Sequence, residues 1–212
     1  MKNFAESLRA AEAHLCRVDK KLAKVISAHG PCNLELQISR SPYEALVRAI
    51  AHQQLHGKAA ETILGRFIGL YKGGFPTPKQ ILKTPYNDLR GVGFSNSKVL
   101  AIQDIAQKTL DGVVPGLEES ALLSDEDLIA RLVTIRGVGQ WTVEMFLIFT
   151  LGRLNIFPVD DYGVKVGVQQ LYKLPELPHR KVMAELGQKW QPYRSVAAWY
   201  CWRIADSLKP SK

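Results

Sequence analysis

Apolar residues recur at spacings of three and four along nearly the whole chain. Between residues 4 and 28, Phe4, Leu8, Ala11, Leu15, Val18, Leu22 and Val25 form one stripe. That pattern predicts one or two amphipathic helices, and Gly30-Pro31 ends the stretch. Ser41-Pro42-Tyr43-Glu44 reads as a capping box with proline at the first helical position, opening a helix that carries Leu46, Val47 and Ile50. A second helix holds Ala60, Ile63, Leu64 and Phe67 and closes at Gly73-Gly74. Thr77-Pro78 opens a short one through Leu82. Further helices are predicted at roughly 95–110, 124–134, 140–151, 160–171, 178–188 and 194–208. Only 33–38 and 154–159 could be extended, so no series of strands exists, which argues against a sheet-based fold.

Composition narrows the class. The 212 residues are 46% hydrophobic and 23% charged, which is ordinary for a globular chain and excludes wholesale disorder. No apolar run spans a bilayer, and Met1-Lys2-Asn3-Phe4 lacks the apolar core of a signal peptide. Charge is more telling. Twenty-eight Lys and Arg against 20 Asp and Glu give +8, a balance that suits a polyanionic partner, most often nucleic acid. Cys16, Cys32 and Cys201 show no metal-binding spacing and read as reduced thiols of an intracellular protein.

One segment recurs. Leu89-Arg90-Gly91-Val92-Gly93 returns as Ile135-Arg136-Gly137-Val138-Gly139, each copy between two helical patterns. In the second, an apolar helix ends, Gly-Val-Gly turns, and Gln140-Trp141-Thr142-Val143 begins another. Glycines let the backbone turn tightly and be closely approached. The N–H groups that start the second helix can then meet a phosphate oxygen. Such a helix-hairpin-helix grips DNA by its backbone, without reading sequence. A glycine C-cap followed by a new helix explains the same residues. For the first copy, Ser95 and Ser97 can cap the next helix, and Lys98 reads either as a solvated charge or as a second, weaker phosphate contact.

Downstream, Phe157-Pro158-Val159-Asp160-Asp161 places adjacent carboxylates at a helix start, with Asp161 22 residues after Gly139. Gly-Val-Gly-Gln-Trp-Thr followed by Phe-Pro-Val-Asp-Asp resembles the helix-hairpin-helix DNA glycosylases, and within them the 3-methyladenine DNA glycosylase II family. The resemblance covers about residues 40 to 205. His52-Gln53-Gln54-Leu55-His56-Gly57-Lys58 is similar to the family's minor-groove turn, and Trp190-Gln191-Pro192-Tyr193-Arg194-Ser195 to its C-terminal turn. Two departures stand out: no segment reads as the β-rich N-terminal domain of some members, and His52 stands where glycine is usual.

The resemblance implies an all-α fold of two helical lobes with an active-site cleft between them. Residues 1–39 with 149–212 would form one lobe and 40–148 the other, with the hairpin at about 124–148. It implies a monofunctional glycosylase that flips an alkylated purine (3-methyladenine or 7-methylguanine type) from duplex DNA and leaves an abasic site in base excision repair. Asp161 would be the catalytic carboxylate, opposing positive charge on the sugar, and Asp160 the helix N-cap. Glycosylases that also cut the backbone carry a Schiff-base lysine where Trp141 stands, so water would be the nucleophile. Trp141 and Trp202 would form the base pocket, where a cationic base gains from a Trp face; Trp190 and Trp199 read as core. Gln53, Gln54, Leu55, His56, Gly137, Val138, Gly139 and Thr142 would contact DNA, with Gln54 or Leu55 filling the gap left by the flipped base. Carbonyls of Val133, Ile135 and Val138 would hold an optional Na+ or K+; no other cofactor is expected. The protein would be a monomer without membrane attachment, in the bacterial cytoplasm and nucleoid or the eukaryotic nucleus. Two alternatives remain at this level: a non-catalytic helix-hairpin-helix DNA-binding module, and an oxidised-purine glycosylase, against whose lyase form Trp141 weighs.

Overall fold

The computed structural model describes residues 4–55 and 57–208. Among them the chain forms thirteen helices and no strand. It divides into two compact units, one of residues 1–36 with 152–212 and the other of 37–151.

The first unit contains α1 (Phe4–Val18), α2 (Lys20–His29), α11 (Tyr162–Tyr172), α12 (Arg180–Gln188) and α13 (Arg194–Ser207). The N-terminal helices pack on the C-terminal ones, as their apolar stripes require. The closest approach is between α11 and α13. A Cβ on Gly167 would lie 2.2 Å from the carbonyl oxygen of Cys201, and one on Gly163 would lie 2.9 Å from Cδ1 of Trp202. Glycine four residues apart thus lets α13 settle on α11 and lays the Trp202 indole against its first turn.

This unit is organised around a carboxylate. Asp19, only 5% exposed, is the N-cap of α2 and accepts the N–H groups of Lys21 and Leu22. Its other oxygen accepts the Trp190 indole N–H at 3.0 Å and the Tyr172 hydroxyl, and faces the Lys189 ammonium at 3.0 Å. Burial pushes its pKa up, but these hydrogen bonds outweigh burial and hold it below the ordinary value. Removing one partner of a buried charge network typically costs about 3–5 kcal/mol. Asp19→Ala is therefore expected to lower the melting temperature markedly. Because the folded-state pKa is depressed, this contribution is present above the unfolded pKa and is lost as pH falls through the folded value. Acid melts of wild type and variant should converge there; a constant gap down to low pH would remove the carboxylate's charge from the account.

The second unit holds α3 (Pro42–His52), α4 (Gly57–Gly69), α5 (Pro78–Lys83), α6 (Tyr86–Gly91), α7 (Asn96–Leu110), α8 (Leu117–Leu122), α9 (Asp125–Leu132) and α10 (Gln140–Phe149). α3 is central, packing on α4, α7 and α10 through Leu46, Val47 and Ile50. Phe67 meets Phe75 and Phe94 edge-on nearby.

Three local expectations change. Ser41 does cap α3, but the Glu44 carboxylate turns to Arg48 at 2.8 Å instead of back to the cap. The complete capping box lies at Thr77 and Gln80. Residues 33–38 and 154–159 pair into no sheet; Gln37 makes one N–H bond to the Phe149 carbonyl. The six-residue α6 and α8 fall outside the predicted elements, too short to show a period.

Candidate active site

In the first unit the helix-capping role expected of Asp160 falls instead to its neighbour. Asp161, not Asp160, is the N-cap of α11: its backbone is extended and its Oδ1 accepts the Val164 N–H at 2.8 Å. The same oxygen accepts the Trp202 indole N–H at 2.8 Å. Asp160 lies outside the helix, more exposed, paired with Arg180 and 3.7 Å from Lys165. The reason is geometric: Val164, the first buried residue of α11, occupies N3, which puts the cap three residues earlier. Asp161 is thus a carboxylate fixed at the positive end of a helix and oriented by an indole. Ser195, fully buried, secures the preceding turn by donating to the Arg153 carbonyl and accepting the Ile156 N–H. Trp190 and Trp199 are buried in the core; Trp202 is half-buried.

In the second unit the hairpin runs from α9 through residues 133–139 into α10. Val138 is buried, while Gly137 and Gly139 are exposed. The two glycines are needed for different reasons. Gly137 has φ +76°, and a Cβ there would stand 2.7 Å from Cβ of Ala101. Gly139 has φ −93° and open space where a Cβ would be. It caps α10 without a side-chain oxygen, so the helix start presents backbone rather than a competing carboxylate or hydroxyl.

Thr142 corrects the sequence expectation. It is 1% exposed, its N–H bonds the Gly139 carbonyl, and its hydroxyl accepts from Gln53, so it cannot meet DNA. Gln53 is half-exposed, and its amide donates to the Gly137 carbonyl at 3.1 Å and to Thr142 Oγ1 at 3.0 Å. The residues that face outward after α3 are Gln54 and Leu55, the latter 40% exposed. Gln54 adopts φ +56°, a left-handed conformation that costs a non-glycine residue about 1–2 kcal/mol. His56 lies outside the described residues.

Lys98 is not simply a solvated charge. Its ammonium donates to the carbonyls of Ala51 and Gln53, both at 2.8 Å, and burial lowers its pKa.

Trp141, half-exposed at the start of α10, lines a pocket of about 320 Å3 with Met145, Phe149, Arg40, Arg48, His52 and other residues of the second unit. His52 ends α3 with Nε2 3.1 Å from the Glu61 carboxylate. Sequence reasoning missed this pair and Arg40; the polar positions one turn apart on α3, Arg48 and His52, are the signal that could have shown a lined wall.

Residues 47–192 match the model of the HhH-GPD superfamily base excision DNA repair protein. The chain belongs to that superfamily. It is 41% identical over 211 residues to DNA-3-methyladenine glycosylase 1 of Schizosaccharomyces pombe, covering 96% of this chain and 92% of that one. It is 37% identical over 198 residues to the alkylbase DNA glycosidase-like protein mag2 of the same organism, covering 92% and 93%. A solved structure of the S. pombe 3-methyladenine DNA glycosylase with abasic DNA superposes with a TM-score of 0.89 at 38% identity, covering 96% of this chain and all of that one.

Proposed function

We infer that the protein is a monofunctional DNA glycosylase that excises alkylated purines from duplex DNA and leaves an abasic site. The observation that carries this reading is the Asp161 carboxylate, held at the α11 N-terminus by Val164 and the Trp202 indole. The family and its named glycosylase relatives supply the reaction class.

Breaking the glycosidic bond sends its electron pair onto the departing base and leaves positive charge on the sugar. A preorganised carboxylate stabilises that charge. Water then adds to C1′ and yields its proton to solvent. Trp141 stands at the position where bifunctional relatives place an amine, so no Schiff base forms there. Its face, in the pocket with Met145 and Phe149, suits a cationic alkylated purine, a gain of roughly 0.5–2 kcal/mol. The base reaches a pocket only by leaving the stack, at a cost of a few kcal/mol. Gln54 and Leu55, both exposed, would fill the gap, and the Gly137–Gly139 turn would hold the backbone.

The hairpin carbonyls of Val133, Ile135 and Val138 offer neutral oxygens that suit Na+ or K+. The Ile135 carbonyl already accepts the Val138 N–H, which leaves it one further lone pair. A cation there would add positive charge towards a phosphate. Among the described residues no group of His, Cys, Asp and Glu could hold a metal, and no helix is long and apolar enough to cross a membrane. The protein works as a monomer where chromosomal DNA is, in nucleoid or nucleus.

The test is to incubate the protein with methylated duplex DNA under borohydride. Free 3-methyladenine and 7-methylguanine should appear, with abasic sites, no strand cleavage and no trapped adduct. A trapped adduct would overturn the water nucleophile. Tight DNA binding without base release would make the protein a binding module.

A further inference from the structure

The hydrogen bonds behind the Gln54–Leu55 turn form a single brace. Lys98 is the third residue of α7, its backbone fixed by the Ser95 cap. A cation there is opposed by the dipole of its own helix. Its side chain leaves that end and crosses to the C-terminus of α3, where the last carbonyls lack helical partners and favour positive charge. There it takes both Ala51 O and Gln53 O at 2.8 Å. From the other side, the Gln53 amide ties the same turn to the Gly137 carbonyl and to Thr142. Between these two anchors the chain adopts the left-handed conformation at Gln54 and exposes Leu55. Both Gly-Val-Gly copies thus serve one turn: the first introduces the helix that carries Lys98, and the second receives Gln53.

We propose that Lys98 is a positioning residue for base flipping: its ammonium locks the Gln53–Leu55 turn, through Gln53, to the hairpin that grips the phosphates, so that the exposed residues enter the duplex without the turn yielding. This rests on the glycosylase reading above. It requires no direct contact between Lys98 and DNA. The first Gly-Val-Gly copy is then internal scaffolding, while the second grips the DNA backbone.

The consequence is a dependence on how firmly the lesion is paired. A braced turn is needed to hold open a stacked, paired site. It is needed far less when the lesion is already unpaired, because little flipping work remains. Single-turnover release of 7-methylguanine should be measured at saturating enzyme from two duplexes, one with cytosine and one with an abasic site opposite the lesion. For Lys98→Met we expect roughly 10- to 100-fold slower release from the paired duplex and less than about 3-fold from the unpaired one. A 2-aminopurine beside the lesion should show a matching loss of unstacked signal. Should Lys98→Met not fold, Lys98→Gln carries the test: one amide donor replaces the ammonium, and a smaller loss confined to the paired duplex is expected. Equal losses on both duplexes, or none, would overturn the proposal. Failure of the wild-type protein to release base from either would instead overturn the glycosylase reading.

Discussion

Asp161→Asn is expected to lower base release by about 10²–10³ while leaving the fold and DNA binding in place. The geometry makes this an unusually clean removal of charge. The oxygen that caps α11 and holds the Trp202 indole is one atom, Oδ1, and asparagine keeps an oxygen there. Asparagine also caps a helix nearly as well as aspartate. The melting temperature should therefore move little, and affinity for duplex DNA should stay the same or rise slightly. Asp160→Asn loses only exposed ion pairs with Arg180 and Lys165, worth about 0–1 kcal/mol, and should retain most activity. Rates measured at saturating enzyme separate chemistry from binding. If Asp161→Asn works at near wild-type rate and Asp160→Asn does not, the carboxylates have been assigned the wrong way round.

The two hairpin glycines should fail in different assays. Gly137→Ala places a side chain in a left-handed conformation and 2.7 Å from Ala101, so something on α7 must shift. Conformational cost and overpacking together suggest a loss of about 2–4 kcal/mol in stability. Gly139→Ala has room and an ordinary φ, so it should melt within about 1 kcal/mol of wild type. Its new methyl instead faces the open space before α10, where the proposed phosphate contact would lie. We expect about tenfold weaker binding to duplex DNA, a change of roughly 1.4 kcal/mol. Thermal melts and fluorescence anisotropy on one duplex distinguish the two. Wild-type affinity in Gly139→Ala would move the phosphate away from this turn.

What the sequence made legible was mostly local. The hairpin could be read because two glycines interrupt strong apolar periodicity, and helix starts because Ser41, Ser95 and Ser124 each precede one and do cap it. Asp160 and Asp161 could not be separated by residue type, since either can cap. Counting back from Val164, the first buried position, would have chosen Asp161. The burial of Thr142 was also within reach, because it shares a helical face with Phe146. Other features were beyond any local pattern. Lys98 meets Ala51 across 47 residues and Asp19 meets Trp190 across 171. Such contacts depend on how helices cross, which spacing along one helix does not encode.

That the Asp161 oxygen also closes the end of α11 bears on how variants of this protein would be sorted. A library at position 161 selected only for soluble, protease-resistant chains would keep asparagine, serine and threonine, and would discard leucine or valine. The survivors would look like a tolerant surface position that asks for any small acceptor. Selected instead for survival of alkylation, the same library would collapse to aspartate alone. The difference between the two surviving sets would measure, at a single codon, what the chemistry demands beyond what the helix demands.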